Sequence, residues 1–141
     1  MQKKTKEMKE TPFSIELKVR DYECDMQGIV NNTNYQHYLE HVRHEFLHTV
    51  GLDFSKLTEE GTILVVKRIE IDYQFPLRSG DRYLVDCSPV RISPLRFGFN
   101  QNIYRLPDHK QIISAYIVAT SINKKGRPFL PPQIEEIFRE H

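Results

Sequence analysis

Only one stretch of this chain repeats its apolar residues at helical spacing for several turns. Tyr35, Leu39, Val42, Phe46 and Val50 recur every three to four residues with Tyr38 beside them, while His37, His41, His44, Glu45 and His48 fall on the other side. Asn32 or Asn34 can cap the start and Gly51 ends it, so at about 1.5 Å per residue the helix spans roughly 25 Å. A helix with one apolar face must be covered, and the chain offers strands to cover it. The expected fold is α+β in two layers, a long central helix wrapped by a curved antiparallel sheet of about five strands.

The strands announce themselves by a period of two. Phe13, Ile15, Leu17 and Val19 alternate with Ser14, Glu16, Lys18 and Arg20 ahead of the helix. Behind it, Ser55 to Glu60 reads as a short capped helical turn stopped by Gly61. Ile63, Val65, Ile69, Ile71, Tyr73 and Phe75 then share one parity up to Pro76, and Ser79-Gly80-Asp81 turns the chain into a strand from Arg82 to Ile92. Ser93-Pro94 turns it again into Arg96 to Arg105, and a turn from Leu106 to Lys110 leads into Gln111 to Ile122. Connections this short predict an antiparallel meander of the four later strands, since parallel pairing needs crossovers of about a dozen residues or more. Pro89 inside its strand predicts a bulge or an edge position. Pro132 is suited to start a short helix in the tail. The chain of 141 residues suits one domain, expected over residues 13–141 behind a flexible charged N-terminus over residues 1–12.

Composition narrows the function classes. Twenty Lys and Arg against nineteen Asp and Glu give a net charge of +1, which argues against a nucleic-acid footprint. No apolar run approaches the roughly 20 residues of a membrane span, and no apolar segment follows the charged start as in a secretory leader, so a cytoplasmic protein without membrane insertion is expected. Cys24 and Cys87 are neither a disulfide framework nor a zinc ligand set, and they read as small apolar residues in or near the core.

Between the first strand and the helix runs the loop Arg20 to Asn34, in which Asp25 is followed three residues later by Gly28. The order strand, helix, four strands, together with Asp25 to Tyr35, Glu40, Arg43, Phe75-Pro76 and Gly80-Asp81, resembles the hot-dog superfamily. Within it the chain is similar to the 4-hydroxybenzoyl-CoA thioesterase-like acyl-CoA thioesterases, over almost its whole length from Phe13 to about Pro132. The resemblance implies hydrolysis of an acyl-CoA thioester without metal or cofactor, with Asp25 as catalytic base or nucleophile. It also implies a homodimer or homotetramer with the site at a subunit interface. The chemistry agrees, because a thioester carbonyl is already activated and one carboxylate suffices if the oxyanion is stabilised. Backbone amides at Gly28 and at the helix start are candidates for that, Asn32 or Asn34 for orienting the carbonyl or a water, and Tyr35 and Val65 for the pocket. The competing reading of Asp25 is a loop aspartate that caps a turn. Asp21 and Glu23 beside it read as solvated charges.

Two departures qualify the likeness. Asn31 and Asn32 stand where one subgroup carries a Tyr-His pair, which bears on subgroup and substrate more than on reaction type. No histidine is placed beside Asp25 as the dehydratases of the superfamily require. Cys24 is a poor nucleophile because the neighbouring carboxylate opposes thiolate formation. Coenzyme A carries phosphates, and Arg91, Arg96 and Arg127 are the cations expected to hold them. His37, His41, His44 and His48 form one stripe on the helix, in which pairs four apart can chelate zinc or nickel. Without a further ligand at matching spacing, a solvated or subunit-facing polar stripe is the preferred reading. The alternative to an enzyme is a non-catalytic hot-dog module that binds acyl-CoA, or an acyl carrier protein thioester, as sensor or scaffold.

Overall fold

The computed structural model describes residues 12–139, so the expectation of a flexible N-terminus falls almost entirely outside the described residues. The elements are β1 (Phe13–Lys18), a 3-10 turn (Asp21–Glu23), α1 (Asn32–Thr49), α2 (Phe54–Glu59), β2 (Ile63–Tyr73), β3 (Arg82–Ser93), β4 (Arg96–Leu106), β5 (Lys110–Ile122) and α3 (Pro132–Phe138).

Helix α1 forms where the periodicity predicts it, with its cap one position earlier. Asn31 caps it by accepting the Thr33 N–H at 3.1 Å, and Gly51, at φ +89°, closes it by donating to the His48 carbonyl. The buried face is Tyr35, Tyr38, Leu39, Val42, Arg43 and Leu47. Val50, expected on that face, is the C-cap and stands 44% exposed; past the last helical turn the chain swings away, and Leu47 fills the place.

The sheet is antiparallel with strand order β1-β3-β4-β5-β2, so only β3, β4 and β5 form the expected meander. Strand β2 pairs with β5 at the far edge instead of with β3. The connection from Gln74 to Asp81 carries the chain across, and fully buried Leu77 pins it: its N–H donates to the Tyr35 hydroxyl and its carbonyl accepts the Val30 N–H, both at 2.9 Å. The parity expected for β2 also fails, because a bulge lies between Val66 and Arg68. Val65 stands opposite Thr120 and turns away from α1. Val66 stands opposite Ala119, and Ile69 opposite Ile117, on the face that packs on the helix. Pro89 is an edge residue: β1 ends at the Phe13–Cys87 pair, and the β3–β4 register runs unbroken from Ser88 to Arg91.

The core lies between α1 and the sheet. Tyr38 packs on Tyr83 with ring centroids 4.8 Å apart, and α3 closes the other end by setting Phe138 on Phe97 at 4.5 Å. The strands give the sheet two distinct ends. The Lys18–Arg82, Arg105–Lys110 and Tyr73–Ile113 pairs define one, against which the Asp25 loop lies through an Ile29–Arg78 bridge. The β3–β4 turn and the Asn123–Arg127 turn occupy the other.

Candidate active site

The loop ahead of α1 folds back on itself as a tight hairpin. Cys24 and Val30 form a bridge, the Asp25 N–H donates to the Ile29 carbonyl at 2.9 Å, and the Gly28 N–H closes the tip on the Asp25 carbonyl at 3.0 Å. Gly28 takes φ +82°, a region side chains disfavour, which is why glycine stands three residues after the aspartate. Asp25 Oδ1 accepts the Gln27 N–H at 2.8 Å and the Ile29 N–H at 3.4 Å. Its Oδ2 has no partner among the described residues, and the side chain is exposed. One oxygen therefore caps the turn and the other is free for chemistry, so the two readings of Asp25 are compatible.

Glu23 fastens this hairpin to the helix. Its carbonyl accepts the Asn31 N–H at 3.0 Å and the Asn34 side-chain amide at 2.8 Å. Its carboxylate accepts the Tyr38 hydroxyl at 2.8 Å and the Arg20 N–H at 2.9 Å. With a side chain only 11% exposed, Glu23 is not the solvated charge that its loop position suggests. Burial first, then the bond to Glu23, holds the Tyr38 phenol far above its ordinary pKa, so it stays a donor. Asp21 likewise is engaged, accepting the Ser79 hydroxyl. Nothing in the sequence marks Glu23 out, because its partners come from one turn into α1 and from the backbone. The Cys24 thiol is pushed up by burial and then by the charges of Asp21, Asp25 and Glu23, which opposes thiolate formation.

The remaining predicted residues divide sharply. The Gly28 amide donates to the Asp25 carbonyl, and the Asn32 N–H, first in the helix, has no acceptor among the described residues. Asn32 is exposed, whereas the Asn34 amide is held by Glu23. Tyr35 is 2% exposed and braces Leu77 from within the core. Val65 points away from α1 because of the β2 bulge. Arg91 is committed to a clip: it binds Glu135 on α3 at 2.8 Å and the carbonyls of Ser93 and Pro94. Arg96 and Arg127 are exposed at the sheet end away from Asp25, so one chain does not bring them to the loop. The four histidines are exposed, with His44 stacked on Phe54 at 5.1 Å and 3.9 Å from Glu40.

A groove of about 240 Å³ opens between α1 and β2, lined by Gln36, His37, Glu40, Arg43, Val66 and Ile69 among others. Sequence reading missed it, since the bulge decides which β2 residues face it. Among the described residues no helix is long and apolar enough to cross a membrane.

Comparison with known proteins agrees with this architecture. The thioesterase-like superfamily model matches residues 19–140. The chain is 40% identical over 125 residues to acyl-acyl carrier protein thioesterase ATL2, chloroplastic, of Arabidopsis thaliana, covering 88% of this chain and 66% of the relative, so it spans about two thirds of that protein's length. It is 28% identical over 132 residues to acyl-CoA thioesterase YbgC of Haemophilus influenzae, covering 93% of this chain and 97% of the relative. A 1,4-dihydroxy-2-naphthoyl-CoA thioesterase from Synechocystis shares the fold, with a TM-score of 0.84 at 19% identity over 92% of this chain and 98% of that one. With a family match running from Val19 through α3, on a five-stranded antiparallel sheet packed around one long helix, this chain belongs to the thioesterase-like, or hot-dog, superfamily.

Proposed function

We propose that this chain is a thioester hydrolase that cleaves an acyl-CoA thioester to free acid and coenzyme A, with Asp25 as its catalytic carboxylate. The observation that carries the proposal is the division of labour at Asp25: Oδ1 is pinned by two backbone amides while Oδ2 is free and exposed, beside the N-terminus of an 18-residue helix. As a base, Oδ2 takes a proton from water while the oxygen of that water adds to the thioester carbonyl. The carbon–sulfur bond then breaks and the thiolate leaves with the proton. As a nucleophile, Oδ2 adds directly, expels the thiolate and leaves an anhydride for water to open. In both routes the developing oxyanion needs donors, and the Asn32 N–H and side chain stand at the positive end of α1.

In this reading the enzyme is cytoplasmic and works as at least a homodimer. Strand β2 is an edge, and Ile63, Val66, Ile69 and Tyr73 along it are between 37% and 50% exposed, which is apolar area in need of cover. Pairing two copies antiparallel through β2 inverts one against the other. The partner's Arg96 and Arg127 then come to the end of the sheet where this chain carries Asp25, and they supply the cations for the nucleotide phosphates. Arg91, held by Glu135, keeps its structural part.

A hydrolysis screen with a thiol-reactive reporter tests the proposal. Short, long and aromatic acyl-CoAs and acyl carrier protein thioesters are offered, and at least one class is expected to turn over well above its spontaneous rate. Folded protein that hydrolyses none of them overturns the reading and leaves the binding-module alternative.

A further inference from the structure

A single residue joins the Asp25 loop to the helix behind it. Among the described residues, every hydrogen bond that links residues 20–30 to α1 and its cap passes through Glu23. The Glu23 carbonyl takes the N–H of the capping Asn31 at 3.0 Å and the side-chain amide of Asn34 at 2.8 Å, while its carboxylate takes the Tyr38 hydroxyl at 2.8 Å. Asn34 and Tyr38 stand four apart on one face of the helix, so Glu23 grips its first two turns. The same carboxylate accepts the Arg20 N–H at 2.9 Å and so closes the 3-10 turn on which Glu23 sits. The other bonds of the loop lie within it or run from Asp21, Ile29 and Val30 to the crossing connection at Leu77, Arg78 and Ser79.

The two groups of the proposed reaction lie on opposite sides of this joint. Asp25, with its free Oδ2, follows Glu23 by two residues, and the Asn32 N–H opens the helix. A thioester carbonyl must meet both at once, with reacting atoms about 3–3.5 Å apart, and a misplacement of about 1 Å can cost on the order of 10²-fold in rate. Asp25 is exposed, so packing does not hold it; the bonds of its loop must. The helix side of the joint is firm. Tyr38 is 6% exposed with its ring on Tyr83 at 4.8 Å, and a buried hydroxyl that loses its acceptor is left unsatisfied at a cost.

We infer that Glu23 is a positioning residue for the hydrolysis, its carboxylate clamped on Tyr38 so as to fix Asp25 Oδ2 against the first amide of α1. The inference rests on the reading of Asp25 given above and adds to it the group that sets its place. Glu23 touches no substrate and exchanges no proton; it acts through the hairpin that carries Asp25. The bonds to Asn31 and Asn34 belong to its main-chain carbonyl and outlast truncation of the side chain. Losing the carboxylate therefore loosens the loop on the helix without detaching it.

Removing the clamp from either side tests it, on whichever acyl-CoA the screen above finds fastest. Glu23→Ala and Tyr38→Phe are each expected to stay folded and to lower kcat on the order of 10- to 100-fold at nearly unchanged KM. Glu23→Gln still offers an oxygen to Tyr38 and to the Arg20 N–H and is expected to recover most of that loss. Because both truncations remove one bond, the double variant should lose no more than Glu23→Ala alone. Losses that multiply in the double variant overturn the clamp, as does a kcat within about threefold of wild type in both single variants. Activity that only follows the fraction folded at the assay temperature overturns it too. Should Glu23→Ala not fold, Tyr38→Phe keeps its ring on Tyr83 and carries the test. An inactive Asp25→Asn beside a fully active Tyr38→Phe removes the clamp and leaves the catalytic reading standing, whereas an Asp25→Asn as active as wild type removes both.

Discussion

Replacing Asp25 separates its two oxygens experimentally. In Asp25→Asn the amide oxygen can still accept the Gln27 and Ile29 N–H groups that Oδ1 now holds at 2.8 and 3.4 Å, while Oδ2 becomes an NH₂ that is neither base nor nucleophile. The hairpin should survive, with stability changed by no more than about 0.5 kcal/mol, the usual range for an exposed side chain. The rate should not survive. A positioned general base contributes roughly 10²–10⁴-fold, or about 2.7–5.5 kcal/mol of barrier, and a lost nucleophile costs at least as much. Asp25→Ala removes the free oxygen and the cap together. It should therefore match the Asn variant in lost kcat and in addition lose about 1 kcal/mol of stability, as other caps of backbone amides do. Steady-state hydrolysis and thermal unfolding on the same samples read both quantities. The reasoning fails if Asp25→Asn keeps hydrolysis within about tenfold of wild type, or if activity in the two variants simply tracks their melting temperatures; either result makes Asp25 a turn cap alone. Asp21→Asn is the control, since Asp21 is engaged with Ser79 and should leave kcat nearly unchanged.

Neutralising Arg96 and Arg127 together should raise KM for acyl-CoA about tenfold or more with little change in kcat, because phosphate contacts hold ground and transition states alike. The same protein should match wild type on a truncated pantetheine thioester; equal sensitivity to both substrates would count against phosphate binding. Gly98→Ala should lose about 2–3 kcal/mol in urea unfolding, near the top of the overpacking range. A Cβ there would sit 2.0 Å from the Ile117 carbonyl oxygen and 2.9 Å from Ile92 Cδ1, and a loss under about 1 kcal/mol would mean β4 and β5 part more easily than this. Burial raises the pKa of the Asp86 carboxyl against the opposing hydrogen bonds from Asn102, so the charged form is the strained one in the fold. Its contribution to stability is full below the unfolded pKa of about 3.9 and is lost as pH rises through the higher folded value. Asp86→Asn should therefore gain on wild type as pH rises above about 4, and a stability difference that does not vary with pH would refute the sign.

The helix and the existence of each strand were legible because their signals are local. A 3.6-residue period over α1, a glycine at φ +89° behind it and a proline opening α3 need no tertiary partner to be read. The cap slipped by one position because three of the four residues Asn31, Asn32, Thr33 and Asn34 are asparagine and all can serve. Strand order was not legible: the turn at Ser79-Gly80-Asp81 exists, but the chain reaches it after crossing from the far edge, and only buried Leu77 records that path. The bulge at Lys67 carries no glycine or proline, so the parity of Ile63 and Val65 could not be known to reverse before Ile69.

At the site, the sequence pointed to Asp25 and missed what holds it. A reactive carboxylate needs an exposed oxygen, which a D-x-x-G turn supplies by itself, and such local geometry leaves a motif. A positioning carboxylate needs only to be near its partners in space, and Glu23 meets Tyr38 across fifteen residues without any motif. The cations show the same limit on a larger scale. Strand β5 has thirteen residues, about 43 Å at 3.3 Å each, and it separates the Asp25 end from the end that carries Arg127. One chain as a closed unit does not join them, whereas the two-fold axis beside β2 proposed above would do so by inversion. The apolar edge strand and the distant arginines acquire a single cause under the pairing of two chains proposed above.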